Sequence, residues 1–206
     1  MTDIRSILSL GPVMPVIVID DAADAVPLAE SLLAGGIQSI EVTLRTDAAL
    51  SAIAQIAKDV PDMVVGAGTV LNAEQARAVR DAGAVFAVSP GATDQLIAGC
   101  EEAGITLLPG AASASEAMAL LEKGFDIQKF FPAVQAGGAP FLKALSSPLA
   151  AINFCPTGGI SLATAPDFLS LPNVICVGGS CIATKEAIRD KDWAAITAAA
   201  RHASSL

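Results

Sequence analysis

Two residues that can perform chemistry lie inside strand-like apolar runs of the sequence. Lys129 is in the segment 126-DIQKFFP-132, and Glu41 is in the segment 36-GIQSIEVTLR-45. Burial disfavours the ammonium form, so a lysine in such a run can offer a neutral nitrogen that attacks a carbonyl. A buried carboxyl group is suited to general acid–base catalysis. The two segments therefore predict a lysine nucleophile and a glutamate that transfers protons.

Both residues also have structural interpretations that need no reaction. Lys129 could belong to an edge strand and extend its amine to solvent, or it could be half of a buried ion pair. Glu41 could neutralise Lys129 or Arg45, which ends the same apolar segment. A catalytic carboxylate can also pair with the amine that it serves, so ion pairing and catalysis are compatible.

Other catalytic chemistries lack the side chains that they need. The single histidine, His202, lies close to the C-terminus in a helical segment, which argues against a serine or cysteine nucleophile assisted by histidine. The sequence contains no His, Cys and Asp cluster spaced to bind a transition metal, and no Walker-type phosphate loop. We therefore expect neither a metal nor a cofactor.

The cysteines form no C-x-x-C pair, and most of them lie in or beside apolar strand-like runs. They are Cys100, Cys155, Cys176 and Cys181. This placement predicts buried structural thiols in a reducing compartment.

Short β-branched runs alternate with alanine-rich amphipathic segments along the chain. The predicted strands are 15-PVIVI-19, 39-SIEVTL-44, 63-MVVGAGTV-70, 85-VFAVSP-90, 106-TLLPGA-111, 126-DIQKFFP-132, 152-INFCPTGG-159 and 174-VICVGGS-180. The main predicted helices are 23–36, 47–60, 72–83, 93–104, 113–124 and 191–205. Continuous apolar strands that alternate with helices are typical of a parallel sheet whose faces are covered.

Eight such units predict an α/β fold, a single-domain (β/α)8 TIM barrel that spans residues 1–206. The segment 2–10 is predicted to be a short N-terminal helix that covers the barrel floor. The alternative is an open doubly wound sheet, but its G-x-G-x-x-G fingerprint is missing after the first strand, and 66-GAGTVL-71 lacks the third glycine.

Residues that favour helix ends support these boundaries. The predicted N-caps are Asp47, Asn72, Thr93 and Ser113. The predicted left-handed stops are Gly35, Gly83, Gly104 and Gly124.

The composition excludes several classes of partner. The chain is 53% hydrophobic and 16% charged with a net charge of −9, and it has no basic stripe that would bind nucleic acid. Gly, Pro, Asp or Lys interrupts every apolar run before it is long enough to span a membrane. Met1 is followed by a polar stretch without a signal-peptide core, so we expect a cytoplasmic protein.

Two glycine pairs follow the last two predicted strands, in 156-PTGGIS-161 and 178-GGSC-181. In a barrel, the loops after strands seven and eight commonly bind phosphate, because glycine lets backbone amides converge on the anion. The two pairs therefore predict a phosphate site.

The order and spacing of several motifs resemble those of one family, the class I aldolases of 2-keto-3-deoxy-6-phosphogluconate (KDPG) and 4-hydroxy-2-oxoglutarate (KHG). The motifs are 36-GIQSIEVTLR-45, 66-GAGTVLN-72, 88-VSPG-91, 129-KFFPA-133 and 154-FCPTGGIS-161. The resemblance covers nearly the whole chain. It implies a metal-independent lyase of the Entner–Doudoroff pathway that cleaves KDPG to pyruvate and glyceraldehyde 3-phosphate, and a homotrimer.

The resemblance also implies a role for individual residues. Lys129 matches the lysine that forms a Schiff base with the C2 ketone, and Glu41 matches the general acid–base. Arg45 and Thr69 match residues that hold the pyruvyl carboxylate, and Pro90 belongs to the loop that lines the same pocket.

The aldehyde half of the substrate has its own matched residues. Thr157 corresponds to a residue that orients the aldehyde, and the phosphate is expected at Gly158, Gly159, Gly179 and Ser180.

The chain departs from the family pattern at a few positions. Gln128 stands where relatives usually have an apolar residue, and Cys181 stands where many have tryptophan. The segment 132-PAVQAGGAP-140 also lacks the acidic residues of the family's loop. These changes leave every matched catalytic group in place.

The alternatives to a KDPG aldolase are an aldolase for the phosphogalactonate epimer, a phosphosugar epimerase or isomerase, and a sugar-phosphate binding protein.

Overall fold

A computed structural model of the chain describes residues 3–206. The strands are β1 (Val13–Ile17), β2 (Ser39–Thr43), β3 (Val64–Gly68), β4 (Phe86–Val88), β5 (Thr106–Leu108), β6 (Gly110–Ala111), β7 (Ile127–Phe130), β8 (Asn153–Pro156) and β9 (Val177–Gly179). The α-helices are α1 (Ile4–Leu8), α2 (Ala25–Ala34), α3 (Ala49–Asp59), α4 (Ala73–Asp81), α5 (Asp94–Ala103), α6 (Ala114–Glu122), α7 (Gly138–Leu145), α8 (Ala165–Leu169), α9 (Lys185–Arg189) and α10 (Trp193–Ser204). A 3-10 helix, Ala22–Asp24, precedes α2. No helix in this part of the chain is long and apolar enough to cross a membrane.

The predicted α/β organisation with a parallel sheet is confirmed. Strands pair in parallel in two sheets, one in the order β5-β4-β3-β2-β1-β9 and one in the order β6-β7-β8. Isolated parallel bridges, Phe154 with Val174 and Thr157 with Gly178, connect β8 to the segment that contains β9.

The fifth predicted strand is divided by Pro109 into β5 and β6. Proline has no N–H group and cannot donate a ladder hydrogen bond, so regular pairing stops there. The Pro109 carbonyl still accepts a 2.8 Å hydrogen bond from the backbone N–H of Lys129. The two halves of this strand therefore belong to different sheets, although they are adjacent in the chain.

The first predicted strand begins earlier than the apolar run suggested. Val13 and Met14 pair with Val177 and Gly178 of β9, and this pairing extends β1 towards the N-terminus.

The strands bury different residues on their two faces. One core lies between the strands and the helices and includes Ala87 and Phe130. The other core, on what we call the inner face, consists of Ile7, Leu8, Met14, Phe86, Val88, Leu108, Ile127, Cys155 and Cys176. Helix α1 contributes Ile7 and Leu8 to this core, as expected for a helix that covers one end of the inner face. Thr2, part of the predicted helical segment, lies outside the described residues.

Most predicted helix caps are confirmed. Asn72, Thr93 and Ser113 each accept a hydrogen bond from the backbone N–H group three positions further on, in α4, α5 and α6. The prediction for Asp47 is wrong: α3 begins after Ala48, which makes no side-chain cap. Thr46 instead donates a hydrogen bond to the carbonyl of Ile19, which holds this turn outside the helix.

Among the predicted glycine stops, Gly83, Gly104 and Gly124 have positive φ angles. Gly35 does not, because the left-handed residue at the end of α2 is Gly36, with φ of 90°. A Cβ at Gly35 would lie 2.8 Å from the carbonyl oxygen of Thr197 in α10. Gly35 therefore allows α2 and α10 to approach each other closely.

Gln128 links β7 to α6, the helix before it, through side-chain hydrogen bonds. Its side-chain amide is buried and donates 2.9 Å hydrogen bonds to the carbonyls of Ala117 and Phe125. The side chain points away from the inner face, as the period of a strand requires for the residue next to Lys129.

We expect Gln128→Leu to lower the free energy of unfolding by about 1–3 kcal/mol, because the carbonyl of Ala117, whose bond to Gln128 is buried, and the partly buried carbonyl of Phe125 lose this donor. Chemical denaturation measures this loss. Gln38→Leu is the matched control, since Gln38 is an exposed glutamine beside β2, and it should change stability by less than about 0.5 kcal/mol. Equal effects of the two substitutions would contradict the prediction.

Candidate active site

The structure brings Lys129 and Glu41 together, although they are far apart in the sequence. The Lys129 amine donates a 3.3 Å hydrogen bond to Oε1 of Glu41, and the two side chains are only 5% and 4% exposed. Both point to the inner face. Ile40 and Val42, the neighbours of Glu41 in β2, belong to the core between the strands and the helices. Because successive side chains of a strand point to opposite faces, Glu41 points to the inner face.

Phe131 adds an aromatic wall beside the amine. Its ring centroid lies 5.3 Å from the Lys129 nitrogen, within the range of a cation–π contact. Sequence reasoning did not single out Phe131. The signal was its position two residues after Lys129, which places both side chains on the same face if the extended backbone continues past β7.

Phe131 also lines a cavity of about 200 Å³. The cavity is bounded by Val16, Arg45, Phe131, Thr157, Gly158, Gly159, Ile160, Gly178 and Ser180. It thus collects Arg45, Thr157, Gly158, Gly159 and Ser180 of the predicted site, and the phenylalanine connects it with the Lys129 amine.

The cavity offers several hydrogen-bond donors to an anion. Gly158 and Gly159 have φ angles of 108° and 76°, a conformation that glycine adopts without strain. The isolated parallel bridge between Thr157 and Gly178 uses the N–H group of Gly158. Within residues 3–206, the N–H groups of Gly159 and Ser180 have no acceptor in the protein. Exposed amides that converge on one space are suited to bind phosphate.

Arg45 supplies a positive charge to the same cavity. It is exposed, and in the described part of the chain its guanidinium group forms no salt bridge. A guanidinium group without a carboxylate partner is free to bind a planar carboxylate with two parallel hydrogen bonds.

Thr157 directly follows β8 and packs against Gly178 of β9. Its hydroxyl donates a long hydrogen bond of 3.5 Å to the carbonyl of Cys155, two residues earlier in the chain. A Cβ at Gly178 would overlap Oγ1 of Thr157 and lie 2.9 Å from its Cγ2. The absence of a side chain at Gly178 therefore gives Thr157 its space beside the cavity.

Three other predicted site residues, Gly179, Thr69 and Pro90, do not line this cavity. Gly179 ends β9 directly before Ser180. Thr69 follows β3 with φ of 61°, which is unusual for a β-branched residue and marks local strain. Pro90 lines a separate cavity of about 220 Å³ beside Gly110.

Two cysteines lie next to the amine on the inner face. Cys155 is the register partner of Lys129, and its sulfur is 3.5 Å from that of Cys176. The contact with Cys155, together with burial and the charge of Glu41, raises the pKa of Cys176 well above its usual range. Burial also raises the pKa of Cys100 to about 11. These thiols are therefore poor nucleophiles at neutral pH, and the prediction of buried thiols is confirmed for Cys100, Cys155 and Cys176.

Within residues 3–206, no group of three or more His, Cys, Asp or Glu side chains is placed to hold a metal ion.

A parallel α/β sheet that buries an amine against a carboxylate, beside a cavity with an arginine and unpaired amides, has the arrangement of a lysine-dependent aldolase. The family model described as KDPG and KHG aldolase matches residues 4–199, and the chain belongs to this family.

Individual relatives agree with this assignment. The 2-dehydro-3-deoxy-phosphogluconate aldolase of Pseudoalteromonas atlantica is 50% identical over 199 residues, which cover 97% of this chain and 93% of the relative. The crystal structure of KDPG aldolase from Legionella pneumophila, with pyruvate captured at low pH as a covalent carbinolamine intermediate, matches with a TM-score of 0.96 and 47% identity over 98% of both chains. The crystal structure of the aldolase of Zymomonas mobilis with 3-phosphoglycerate has a TM-score of 0.91 and 50% identity, and the match covers 98% of this chain and 95% of that one.

The pKa shifts and burial of the cysteines predict selective thiol labelling. At about pH 8, iodoacetamide should modify Cys181, the partly exposed cysteine, well before the buried thiols, because the thiolate is the reactive form. Mass spectrometry of digested protein locates the label. In denaturant all the cysteines should react alike. Labelling of Cys176 in the folded protein at the rate of Cys181 would contradict the prediction.

Proposed function

We propose that the chain is a Schiff-base aldolase that cleaves KDPG to pyruvate and glyceraldehyde 3-phosphate and that also acts on KHG. The contact between Lys129 and Glu41 carries the proposal, because it places a buried amine and a group that can transfer protons within one hydrogen bond. Membership of the KDPG and KHG aldolase family supports both substrates. The carbinolamine of pyruvate in the Legionella relative supports a covalent intermediate on the lysine.

Binding places the two ends of the substrate at different groups. Arg45 and Thr69 hold the carboxylate of the pyruvyl half, and Pro90 borders that half. The phosphate binds the amides of Gly158 and Gly159. The positive φ angles of both glycines and the unpaired N–H group of Gly159 support this assignment.

Gly179 and Ser180 complete the phosphate site from β9. Ser180 lines the same cavity as the two loop glycines, and Gly179 is its neighbour in the chain. The relative from Zymomonas, which holds 3-phosphoglycerate, supports a site for a phosphorylated three-carbon acid or aldehyde. Thr157, between the amine and the phosphate loop, orients the aldehyde half.

The reaction begins when the Lys129 ammonium passes a proton to Glu41 across their hydrogen bond, and the neutral nitrogen attacks the C2 ketone to form a carbinolamine. Glu41 returns a proton to the departing hydroxyl, and loss of water leaves a protonated imine. This imine withdraws electrons from the bond between C3 and C4.

Cleavage then needs a base at the C4 hydroxyl. Glu41 removes that proton directly or through a water molecule, the C3–C4 bond breaks, and glyceraldehyde 3-phosphate leaves. The electron pair of the broken bond remains in an enamine on Lys129. Protonation of C3 and addition of water release pyruvate and restore the amine.

Trapping with borohydride tests the covalent step. Incubation with pyruvate and borohydride should attach a stable adduct to Lys129, whereas a phosphosugar epimerase on the same fold would gain none. Lys129→Ala should abolish the adduct and lower kcat by a factor on the order of 10⁴ or more. Lys143→Ala, which removes an exposed lysine of α7, is the control and should retain both. Turnover of Lys129→Ala at the wild-type rate would refute the mechanism.

Removing the Ser180 hydroxyl tests the phosphate site. A hydrogen bond to a charged group contributes about 1.5–3 kcal/mol, so Ser180→Ala should raise the KM for KDPG by roughly tenfold or more. KHG lacks the phosphate and serves as the internal control, so its KM should not change. Steady-state kinetics on both substrates give the comparison, and an unchanged KM for KDPG argues against a role of Ser180 in binding phosphate.

We also infer that the two sheets are parts of one eight-stranded (β/α)8 barrel in a single domain of residues 1–206. The continuity of β5 and β6 across Pro109 and the bridges from Phe154 and Thr157 support closure of the two sheets into a barrel.

We further propose a cytoplasmic homotrimer. Exposed apolar side chains such as Leu71, 54% exposed, suit a surface covered by another subunit. Light scattering during gel filtration measures the mass of the assembly.

A further inference from the structure

The end of β3 lacks a side chain where the carboxyl group of Glu41 lies. A Cβ at Gly68 would overlap Oε1 of Glu41 and lie 2.7 Å from both its Cγ and its Cδ. Real Cβ atoms essentially never approach heavy atoms of residues that are not their chain neighbours to within 3.0 Å. Any residue other than glycine at this position would therefore displace the carboxyl group from the Lys129 amine, with which Oε1 makes its 3.3 Å contact.

The backbone at Gly68 does not itself require glycine. Its φ angle lies outside the left-handed region, and the residue is part of a regular strand. Gly68 is paired with Thr43 of β2, and its carbonyl accepts a 2.9 Å hydrogen bond from the N–H of Leu44. Because this pairing fixes the strand, the strain of an added Cβ would fall on the Glu41 side chain.

We propose that Gly68 is a positioning residue, whose missing side chain sets the position of the Glu41 carboxylate beside the Lys129 amine. The inference rests on the proposed role of Glu41 as the proton-transfer group. Gly68 directly precedes Thr69, the strained residue expected at the substrate carboxylate. Two consecutive residues therefore serve the acid–base group and the carboxylate site.

Gly66 provides a matched control in the same strand. It lies two residues before Gly68, and so on the same face. A Cβ there would overlap the ring of Phe86 instead of Glu41. The three nearest atoms that an alanine Cβ would meet at Gly66 all belong to Phe86, so the inner core is disturbed first, although Gly66 is the register partner of Glu41.

A double-mutant cycle tests the proposal through kcat, KM and thermal unfolding. General acid–base catalysis contributes about 10²–10⁴-fold, so Gly68→Ala should lower kcat by roughly 10²-fold or more, with a change in KM of less than about threefold. In the Glu41→Ala background the added methyl group meets no carboxyl group. There Gly68→Ala should change kcat by less than about twofold. Gly66→Ala should lower stability by the same amount in both backgrounds.

The outcomes separate this inference from the proposed function. If the wild type gives no borohydride adduct, or if Glu41→Ala keeps the wild-type kcat, the proposed function fails. If those results hold but Gly68→Ala keeps the wild-type kcat, or lowers it by the same factor with and without Glu41, the positioning role fails. Should Gly68→Ala not fold, the double variant Gly68→Ala/Glu41→Ala must fold, and its failure to do so would also overturn the inference.

Discussion

The buried contact between the Lys129 amine and the Glu41 carboxylate constrains most of the structure around it. The two residues come from strands in different sheets, so their 3.3 Å separation depends on the placement of both sheets. Burying two charges is expensive, and their attraction repays the cost only with good geometry. The pair is therefore explained better by the chemistry that it allows than by any gain in stability.

Glycine serves the site in two physically different ways. Gly158 and Gly159 provide the positive φ angles of the loop that lines the cavity. Gly68 and Gly178 have ordinary backbone conformations and matter because a Cβ would collide with Glu41 and Thr157. The first kind of glycine shapes the loop that receives an anion, and the second leaves room for a side chain that must stand close to a neighbouring strand.

The features that could be predicted from the sequence are local. Asn72, Thr93 and Ser113 act within one helical turn, so their side chains alone indicated the helix starts. Asp47 also belongs to a residue type that caps helices, but α3 begins after Ala48, and Thr46 bonds to the carbonyl of Ile19, which follows β1. The rarity of titratable residues in apolar runs singled out Lys129 and Glu41. Their contact joins residues 88 positions apart and depends on the packing of the whole domain, which no local pattern encodes.

The neighbouring side chains Gln128 and Lys129 point to opposite faces of β7. Gln128 donates hydrogen bonds to the carbonyls of Ala117 and Phe125, and Lys129 donates one to Glu41. Because the face changes with every residue, inserting or deleting one amino acid in this strand would exchange the two environments. The amine would then lie among helix carbonyls and a neutral amide would face the substrate. An inserted or deleted residue therefore leaves the site intact only when it falls in a loop, where the register of the strand is unaffected.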